Sequence, residues 1–442
     1  RHSMTDCISA KAVGDSDRWG TLVDMTGLTT LRDGTGGEGK DSLKVIPRPD
    51  GKEGRVTVPA GRTFISVARE LQEKDWVFRV NTELGTLTMG AAACGATKDS
   101  SFTGEFGQVC ADVVGMRIVK PDGVPQDLAE GKSTEEDRRL AALRCSYGLF
   151  GIVTEVTFRV YRLEYISLEH DKVKPAGEKF TATEIKNHLD KWLPNGAREN
   201  PAVFLYLFPY RDRIVAELRH KPATAGEPEE KSVRLQTRNV FWKEGAMAWT
   251  KITNHSRSLA LKHGLQDFFD KTLGTYLQNV LYLKKVNPVA QIVDFEKDDA
   301  GHRFTFSMWA FPEADFPEIL PQYFDLCGEH EATYRSCLPH VSYHIAQDES
   351  SLLSYSRKGP VWTLDPICPV NEVGWQPFLA KFNEFCSEKG GVPLLNQTPY
   401  LERKHVVRAF GADLLAEFDA MRRQFDPTNR MLNDYFAKLL TP

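Results

Sequence analysis

A run of small residues near position 90 constrains the fold more than any other stretch of the chain. Residues 85–101 are GTLTMGAAACGATKDSS, and from Gly90 to Ala96 no side chain is larger than that of cysteine. Such a run buries little side-chain area, and its glycines lose much backbone entropy on folding. The run is therefore expected to have a role other than stabilising the fold by its own side chains. Two roles are open: close approach of the backbone to a flat ligand, or a tight crossing of a helix and a strand.

A second segment with two glycines lies at residues 144–158, RCSYGLFGIVTEVTF. Gly148 and Gly151 bracket a turn that leads into an apolar strand. A glycine at such a turn lets the backbone contact a ligand directly. An ordinary glycine-containing β-turn has the same pattern, so the segment alone leaves both interpretations open.

Composition and charge exclude several classes of protein. A chain of 442 residues predicts two or three domains. The formal net charge is −4, and lysine and arginine are spread along the chain, so the sequence predicts no nucleic-acid partner. No stretch approaches the roughly 18 uninterrupted apolar residues that a membrane helix needs, so no transmembrane segment is expected in this chain.

The eight cysteines form no CxxC pair, and the 11 histidines show no HExxH spacing. This usage is typical of buried thiols in a reducing compartment and not of a disulfide framework or a zinc site. We therefore expect no metal. A cytoplasmic location is favoured, although a targeting region ahead of the first residue would be missing from this sequence.

The pattern of elements changes near residue 165. Residues 1–160 alternate short strands, such as TLVDMT at 21–26, with helical patterns in a βαβ-like order. The clearest helix has Phe64, Val67, Ala68 and Leu71 at helical spacing. Beyond 165 come an antiparallel hairpin around PYRDR, aromatic strands and further helices at about 313–329, 374–388 and 402–424, which predict an α+β domain with an antiparallel sheet.

Five segments in order carry a family resemblance. They are VTVPAGRTFISVARELQEKDW, the small-residue run, ADVVGMRIVKPDG, an acidic helix, and SYGLFGIVTEVTFRV. In this order the chain resembles the vanillyl-alcohol-oxidase superfamily of FAD-linked oxidases, and is nearest to the aldonolactone and alditol oxidases. A GxGxxG fingerprint of an ordinary dinucleotide-binding fold is absent from the sequence. The resemblance implies an α+β fold: a two-subdomain FAD-binding domain of the p-cresol-methylhydroxylase type, and an α+β cap domain with an antiparallel sheet.

The resemblance also implies a division of the chain. Residues 1–160 would be the FAD-binding domain with its first part missing, 161–395 the cap or substrate domain, and 396–442 a segment that returns to the FAD domain. The closing stretch FDPTNRMLNDYF is similar to the family's last segment and would bring Asn433 near the cofactor. A plain helix-turn-helix tail is the alternative.

The cofactor contacts come from the same resemblance. The start, RHSMTD, is similar to the end of the family's pyrophosphate loop, so the chain resembles one that is truncated at its N-terminus. His2 would then be a covalent flavin ligand and Ser3 a phosphate or flavin contact, unless both are simply terminal residues. Thr97 and Lys98 replace a His-Gly pair of many relatives. The other implied FAD contacts are Gly90, Ala93, Cys94, Gly95 and Ala96 along the flavin, and Gly148, Gly151, Ile152 and Val153 at the pyrophosphate or adenine.

Candidate catalytic groups lie in the predicted cap domain. In this family FAD accepts hydride at N5, and a protein group must take the hydroxyl proton or stabilise the alkoxide. Tyr343 and His344 are adjacent on a predicted strand and should point to opposite faces. Asn396 and Gln397 offer hydrogen-bonding amides. Each of the four has the alternative of a purely structural role.

The resulting prediction is an FAD-dependent oxidoreductase that oxidises a CH–OH group of a small alcohol, sugar alcohol or lactone. The electron acceptor would be O2 or another carrier. Two other functions stay open. The stretch SSFTGEFGQVC resembles sterol side-chain reductases, which reduce a C=C bond with an NADPH-reduced flavin. A binding protein that keeps the fold without the cofactor is the third.

Overall fold

The computed structural model describes residues 7, 23–35, 43–82, 84–194, 199–221, 233–245, 248–249, 252, 259–280, 283–292, 304–336, 338–369 and 372–441. Within these ranges the chain is a mixture of helices and antiparallel sheets, and the predicted α+β class is confirmed. Two large sheets dominate, one with six strands and one with eight.

Sixteen strands lie in the described ranges. They are β1 (Val45–Pro47), β2 (Glu53–Pro59), β3 (Trp76–Val77), β4 (Val113–Val119), β5 (Pro125–Ala129), β6 (Ile152–Arg162), β7 (Ile166–Val173), β8 (Ala202–Phe208), β9 (Arg213–His220), β10 (Leu283–Val286), β11 (Phe304–Phe306), β12 (Trp309–Pro312), β13 (His340–Ile345), β14 (Val361–Leu364), β15 (Ile367–Pro369) and β16 (Val392–Pro393). The α-helices are Phe64–Gln72, Met89–Cys94, Thr134–Leu143, Ala182–Trp192, Val233–Val240, Leu259–Val280, Phe316–His330, Trp375–Glu388, Arg403–Phe410, Ala412–Phe425 and Asp434–Leu440.

The first sheet has the order β1-β2-β6-β4-β5, and β3 also pairs with β6. β6 is its long central strand because alternate residues, including Val156, Phe158 and Val160, are apolar and buried. The βαβ-like opening expected from the sequence is wrong here: every pairing in this sheet is antiparallel. The helix Phe64–Gln72 leads to the two-residue β3, which pairs antiparallel with β6. Of the predicted strand at 21–26, residues 23–26 are outside any strand and 21–22 lie outside the described residues.

The helix after β2, Phe64–Gln72, has a side-chain cap at its start. The Thr63 side chain caps its first turn by accepting the backbone N–H of Ser66. Phe64, Val67, Ala68 and Leu71 are all buried, so the predicted apolar face is confirmed. Asp75 adopts a left-handed conformation with φ of 61° just beyond the helix.

The second sheet has the order β10-β7-β9-β8-β13-β14-β12-β16. Its strand β8 is buried along its whole length, because both faces of the sheet are covered. On the outer face, Val203, Leu205 and Leu207 share a core with the helices Ala182–Trp192, Phe316–His330 and Trp375–Glu388. On the inner face, Phe204, Tyr206 and Phe208 belong to the core that contains the first sheet.

The end of the chain packs against the segment that leads into β6. The predicted helix at 402–424 is two helices, Arg403–Phe410 and Ala412–Phe425, because Gly411 between them has φ of 84°. Phe150 packs edge-to-face against Phe418 and Phe425, with ring centroids 5.3 and 5.2 Å apart. The predicted domain bounds stay predictions, although β6 ends in the first sheet and β7 begins the second.

The stretch FDPTNRM is held by one buried carboxylate. Asp426 is fully buried and accepts the backbone N–H groups of Arg430 at 2.8 Å and Met431 at 2.7 Å. We expect Asp426→Ala to destabilise the protein by about 3 kcal/mol, since the backbone N–H groups of Arg430 and Met431 lose their buried acceptor. The urea midpoint, followed by circular dichroism, measures this.

Glu417→Ala is the matched control for Asp426→Ala. Glu417 lies on the same helix and makes a partly exposed ion pair with Arg138 at 2.8 Å. Exposed pairs contribute little, so this variant should lose less than about 1 kcal/mol. Equal midpoints for the two variants would contradict the structural role of Asp426.

Candidate functional site

The small-residue run forms the short helix Met89–Cys94, capped by the side chain of Thr88. At Gly90 the helix crosses the end of β2: the Gly90 N–H donates to the Ala60 carbonyl at 2.9 Å, and a Cβ at position 90 would lie 3.1 Å from the Ala60 Cβ. The tight crossing considered from the sequence is therefore present at Gly90. Ala91, on another side of the helix, is exposed, and close approach to a ligand stays a prediction.

The other predicted flavin contacts of this run differ in their burial and in their neighbours. Ala93 and Ala96 are fully buried in the core. Gly95 ends the helix, and a Cβ there would lie 3.9 Å from the Asn396 side-chain nitrogen. Cys94 is buried, which raises the pKa of its thiol to about 11 although Ser146 and Gly148 donate to it. Gly95 is thus the member of the run that faces a predicted catalytic amide.

The segment 144–151 has unusual backbone geometry. Cys145, Tyr147 and Gly148 have φ of 55°, 54° and 81°, all in the left-handed region. Non-glycine residues there store strain, which is frequent near functional sites. A Cβ at Gly148 would meet no atom within 4 Å, whereas one at Gly151 would lie 2.6 Å from the Val119 carbonyl oxygen. Gly148 is therefore open to a ligand, and Gly151 is required by packing.

The small-residue helix and this segment are directly joined. The Tyr147 N–H donates to the Cys94 carbonyl at 2.9 Å. The next two predicted contacts, Ile152 and Val153, begin β6, are half-buried and pair with the end of β4. The small-residue helix, the strained segment and the start of β6 are therefore neighbours in the fold, although Ala93, Cys94 and Ala96 are buried.

Asn433 has a clear structural role in the last turn of the chain. Its side-chain oxygen accepts the Phe436 N–H at 3.0 Å and caps the helix Asp434–Leu440, while its nitrogen donates to the Cys7 carbonyl at 3.0 Å. Its neighbour Tyr435 donates to the Leu395 carbonyl at 2.5 Å. The last helix thus contacts both the N-terminal part of the chain and the loop that carries Asn396. His2 and Ser3 lie outside the described residues.

Tyr343 and His344 point to opposite faces of the second sheet, as the strand pattern predicts. Tyr343 lies on the inner face, with its ring centroid 4.7 Å from that of Phe204 and 4.5 Å from the Lys98 ammonium. His344 lies on the outer face and bonds Glu313 at 2.6 Å, a contact that lowers the pKa of Glu313. The structure therefore separates His344 from Tyr343.

Asn396 and Gln397 lie in the turn after β16. The Gln397 N–H donates to the Leu394 carbonyl at 2.9 Å, and both side chains are partly accessible. Of the two, Asn396 is the one beside Gly95. The structure thus brings Tyr343 and Asn396 to the inner side of the sheet, on which the small-residue helix also lies.

A buried charged cluster on the inner face was missed by the sequence analysis. Arg219 donates to both carboxylate oxygens of Asp99, at 2.7 and 2.8 Å, and to Glu217 at 2.8 Å. Glu217 also contacts His170 Nε2 at 3.2 Å and accepts from Tyr206 at 3.3 Å. Asp99 comes four positions after Gly95, so the cluster begins where the small-residue run ends.

The pKa values of the two carboxylates in this cluster are shifted in opposite directions. Burial raises the pKa of Glu217, but the charges of Arg219 and Arg238 and the bond from His170 outweigh it, so the pKa lies well below the usual value. For Asp99 burial outweighs the attraction of Arg219, and the pKa is raised. Arg219 bonds both carboxylates, whereas the second cation, Arg238, lowers the pKa of Glu217.

A second buried pair lies beside Tyr343. Lys98 Nζ is 2.8 Å from the Asp365 carboxylate, and both side chains are buried. Burial raises the pKa of Asp365, and Lys98 partly offsets this effect. Lys98 thus brings a positive charge to the inner face. One sequence signal for this face existed: Glu217 and Arg219 are two positions apart in RIVAELRH, so they share one face of β9.

Neither metal binding nor membrane spanning is supported by the described part of the chain. No group of three or more His, Cys, Asp or Glu side chains there is placed to hold a metal ion. Among the described helices, none combines the length and the apolar character needed to cross a bilayer.

Cholesterol oxidases of known structure share the fold of this chain. A solvent-stable cholesterol oxidase matches with a TM-score of 0.63 at 12% identity, over 90% of this chain and 84% of that chain. Cholesterol oxidase from Brevibacterium sterolicum matches with a TM-score of 0.65 at 13% identity, over 95% of this chain and 84% of its own. A variant of the latter gives 0.62 at 12% identity, over 94% and 84%. No protein-family model and no curated protein sequence matches.

This likeness shows a fold in common with cholesterol oxidases. The membership of the vanillyl-alcohol-oxidase superfamily, the nearness to aldonolactone oxidases and the individual site residues stay predictions.

Removal of Arg219 should destabilise the protein most at high pH. Glu217, with its lowered pKa, stabilises the fold above about pH 4.3, and this contribution is lost as the pH falls through the folded-state pKa. Without Arg219 the buried carboxylates must bind protons, so the folded state then holds more protons than the unfolded state. We expect Arg219→Met to lose about 3–5 kcal/mol at pH 8 and less at pH 5.

Urea unfolding at the two pH values measures this, with Arg213→Met as control. Arg213 lies on the same strand, is half-buried and bonds the backbone carbonyl of Asp270. Its removal should give a smaller loss of stability, and this loss should not be greater at pH 8 than at pH 5. An Arg219→Met loss that is equal at pH 5 and pH 8 would argue against the charged cluster as described.

Proposed function

We propose that this chain is an FAD-dependent oxidoreductase that oxidises a CH–OH group of a small alcohol, sugar alcohol or lactone, with O2 or another carrier as electron acceptor. The observation that supports this most is the fold shared with cholesterol oxidases over nine-tenths or more of the chain. The arrangement of small residues, open backbone and buried charge at the inner face is the second support.

The residues present fit a flat cofactor. Gly148 is left-handed and open, Ala91 is exposed with the smallest side chain, and Gly95 ends the helix beside Asn396. We assign Gly95 and Gly148 as the backbone contacts of FAD. When bound, FAD supplies the hydride acceptor. His2 and Ser3 remain proposed contacts, and the covalent bond to His2 is part of the same proposal.

Tyr343 is the group we assign to the substrate hydroxyl. It lies on the inner face, and the ammonium of Lys98, which is paired with Asp365, lies 4.5 Å from the centroid of its ring. Asn396, beside Gly95, would orient the substrate through its amide. The buried cluster that begins at Asp99 lies on the same inner face, and its charges are paired with one another.

The stretch that resembles the sterol side-chain reductases has structural roles here. Ser100 Oγ donates to the Val203 carbonyl at 2.6 Å, and Gln108 Nε2 donates to Ser354 Oγ at 2.8 Å. A Cβ at Gly107 would lie 2.4 Å from Ser101 Oγ. Packing between the two sheets accounts for these residues, so we do not propose C=C reduction.

Replacement of Gly148 by valine should weaken FAD binding by about tenfold or more, because the side chain fills the space assigned to the cofactor and opposes the left-handed backbone. Gly123→Val is the matched control, since Gly123 has φ of 83° and is equally open but lies in the turn between β4 and β5. Both variants carry the same backbone strain, so only the cofactor effect differs. Titration of the purified protein with FAD, followed by flavin fluorescence, measures this.

A chain that binds no FAD, even before substitution, would overturn the proposed function and favour a binding protein with the same fold. Flavin that remains with acid-precipitated protein would establish the covalent bond. Equal FAD affinities of the Gly148 and Gly123 variants would instead move the cofactor site away from residues 144–151.

Tyr343→Phe should lower kcat by about 10²-fold, since it removes one hydroxyl that handles the proton and leaves the ring in place. His344→Ala is the neighbouring control: His344 bonds Glu313 on the outer face, and its loss should leave kcat within about twofold. Flavin bleaching under anaerobic conditions with a panel of sugar alcohols, lactones and sterols gives the rates. A larger effect at His344 than at Tyr343 would contradict the inner-face assignment.

A further inference from the structure

Two of the buried cysteines are nearly in bonding contact. The sulfurs of Cys110 and Cys145 lie 3.2 Å apart, and both residues are fully buried. Cys110 is on the short 3₁₀-helix Val109–Asp112, and Cys145 begins the strained segment 144–151. A disulfide needs about 2.05 Å between sulfurs, so an approach of about 1.1 Å would suffice.

The surroundings hold this pair in place. Cys145 Sγ lies 3.8 Å from Gln108 Oε1, and Gln108 Nε2 in turn donates to Ser354 Oγ at 2.8 Å and Ser356 Oγ at 3.1 Å. Cys145 keeps its left-handed backbone, with φ of 55°. The hydrogen bond with Cys145 and burial raise the pKa of the Cys110 thiol well above its usual value.

We propose that Cys110 and Cys145 form a thiol-oxidation site, at which a hydroperoxide converts the pair into a disulfide that ties the 3₁₀-helix to the segment 144–151. In the first step the Cys145 sulfur attacks one oxygen of hydrogen peroxide. The S–O bond of a sulfenic acid forms, the O–O bond breaks, and the other oxygen leaves as water with the thiol proton. In the second step the Cys110 sulfur displaces the sulfenic oxygen as a second water, and the S–S bond forms. Two thiols and one peroxide thus give one disulfide and two waters.

The link would act on the surface assigned to the cofactor. Tyr147, two residues after Cys145, donates to the Cys94 carbonyl, and Gly148 follows it. A disulfide would therefore fix the loop that carries Gly148. The chemistry of the pair does not depend on the proposed function. If O2 is the electron acceptor of that function, the enzyme itself forms the peroxide.

Peptide mapping of the full-length protein tests this directly, since trypsin separates the three neighbouring thiols. Cys110 falls in residues 99–117, Cys145 in 145–159 and Cys94 in 80–98. The protein is treated with hydrogen peroxide, alkylated in denaturant and mapped without reductant. We expect peptides 99–117 and 145–159 to appear as one species, two hydrogens lighter than their sum, and dithiothreitol to release them.

Two variants serve as controls for the mapping. Cys94→Ser should keep the linked species, since Cys94 takes no part in it. Cys110→Ser should abolish the linked species and leave Cys145 as a sulfenic acid that dimedone traps. In the wild-type protein, hydrogen exchange at residues 146–149 should slow after oxidation and recover after reduction.

Separate alkylation of Cys110 and Cys145 after peroxide treatment would overturn the proposal, as would a link between Cys145 and Cys94. These results come from the wild-type protein alone, so a variant that fails to fold leaves the test intact. They also need neither FAD nor substrate, so the outcome is separate from that of the proposed function.

Discussion

The second sheet must bury both of its faces, and most of the structure follows from this constraint. β8 is apolar throughout, with the sequence AVFLYLF, and no residue of it reaches solvent. Three helices cover the outer face, and the core of the first sheet lies on the inner face. A sheet covered in this way can carry polar groups only where they are paired. The charged cluster around Arg219 and the pair of Lys98 with Asp365 are consequences of that requirement.

Local patterns were sufficient to predict several of the elements and the orientation of neighbouring side chains. The apolar spacing in the helix Phe64–Gln72 and the opposite directions of Tyr343 and His344 both depend on the periodicity of one element. The α+β class followed from the change of pattern near residue 165. Strand pairing was harder to predict from the sequence. The alternation of strands and helices predicted a βαβ-like order, but the pairing of β3 with β6 depends on residues about 85 positions apart.

The site was harder to predict than the fold because its contacts are distant in sequence. Asp99 and Arg219 are 120 positions apart, and Gln108 is 246 from Ser354. Neither pair leaves a local pattern. The small-residue run was recognised as unusual, yet its sequence could not show that Gly90 serves packing while Gly148, on another segment, is the open position. The cofactor residues His2 and Ser3 lie outside the described residues and depend on the resemblance alone.

The bond between Arg219 and Asp99 has a consequence for how the protein can be divided. It joins a strand of the second sheet to the segment after the small-residue helix, and both partners are buried. If the stretch 161–395 were expressed by itself, Arg219 would lose Asp99, and Phe204 and Tyr206 would face water. Such a fragment would present a wide apolar surface and would tend to associate with itself. We therefore expect the two sheets to fold together and not as separate modules.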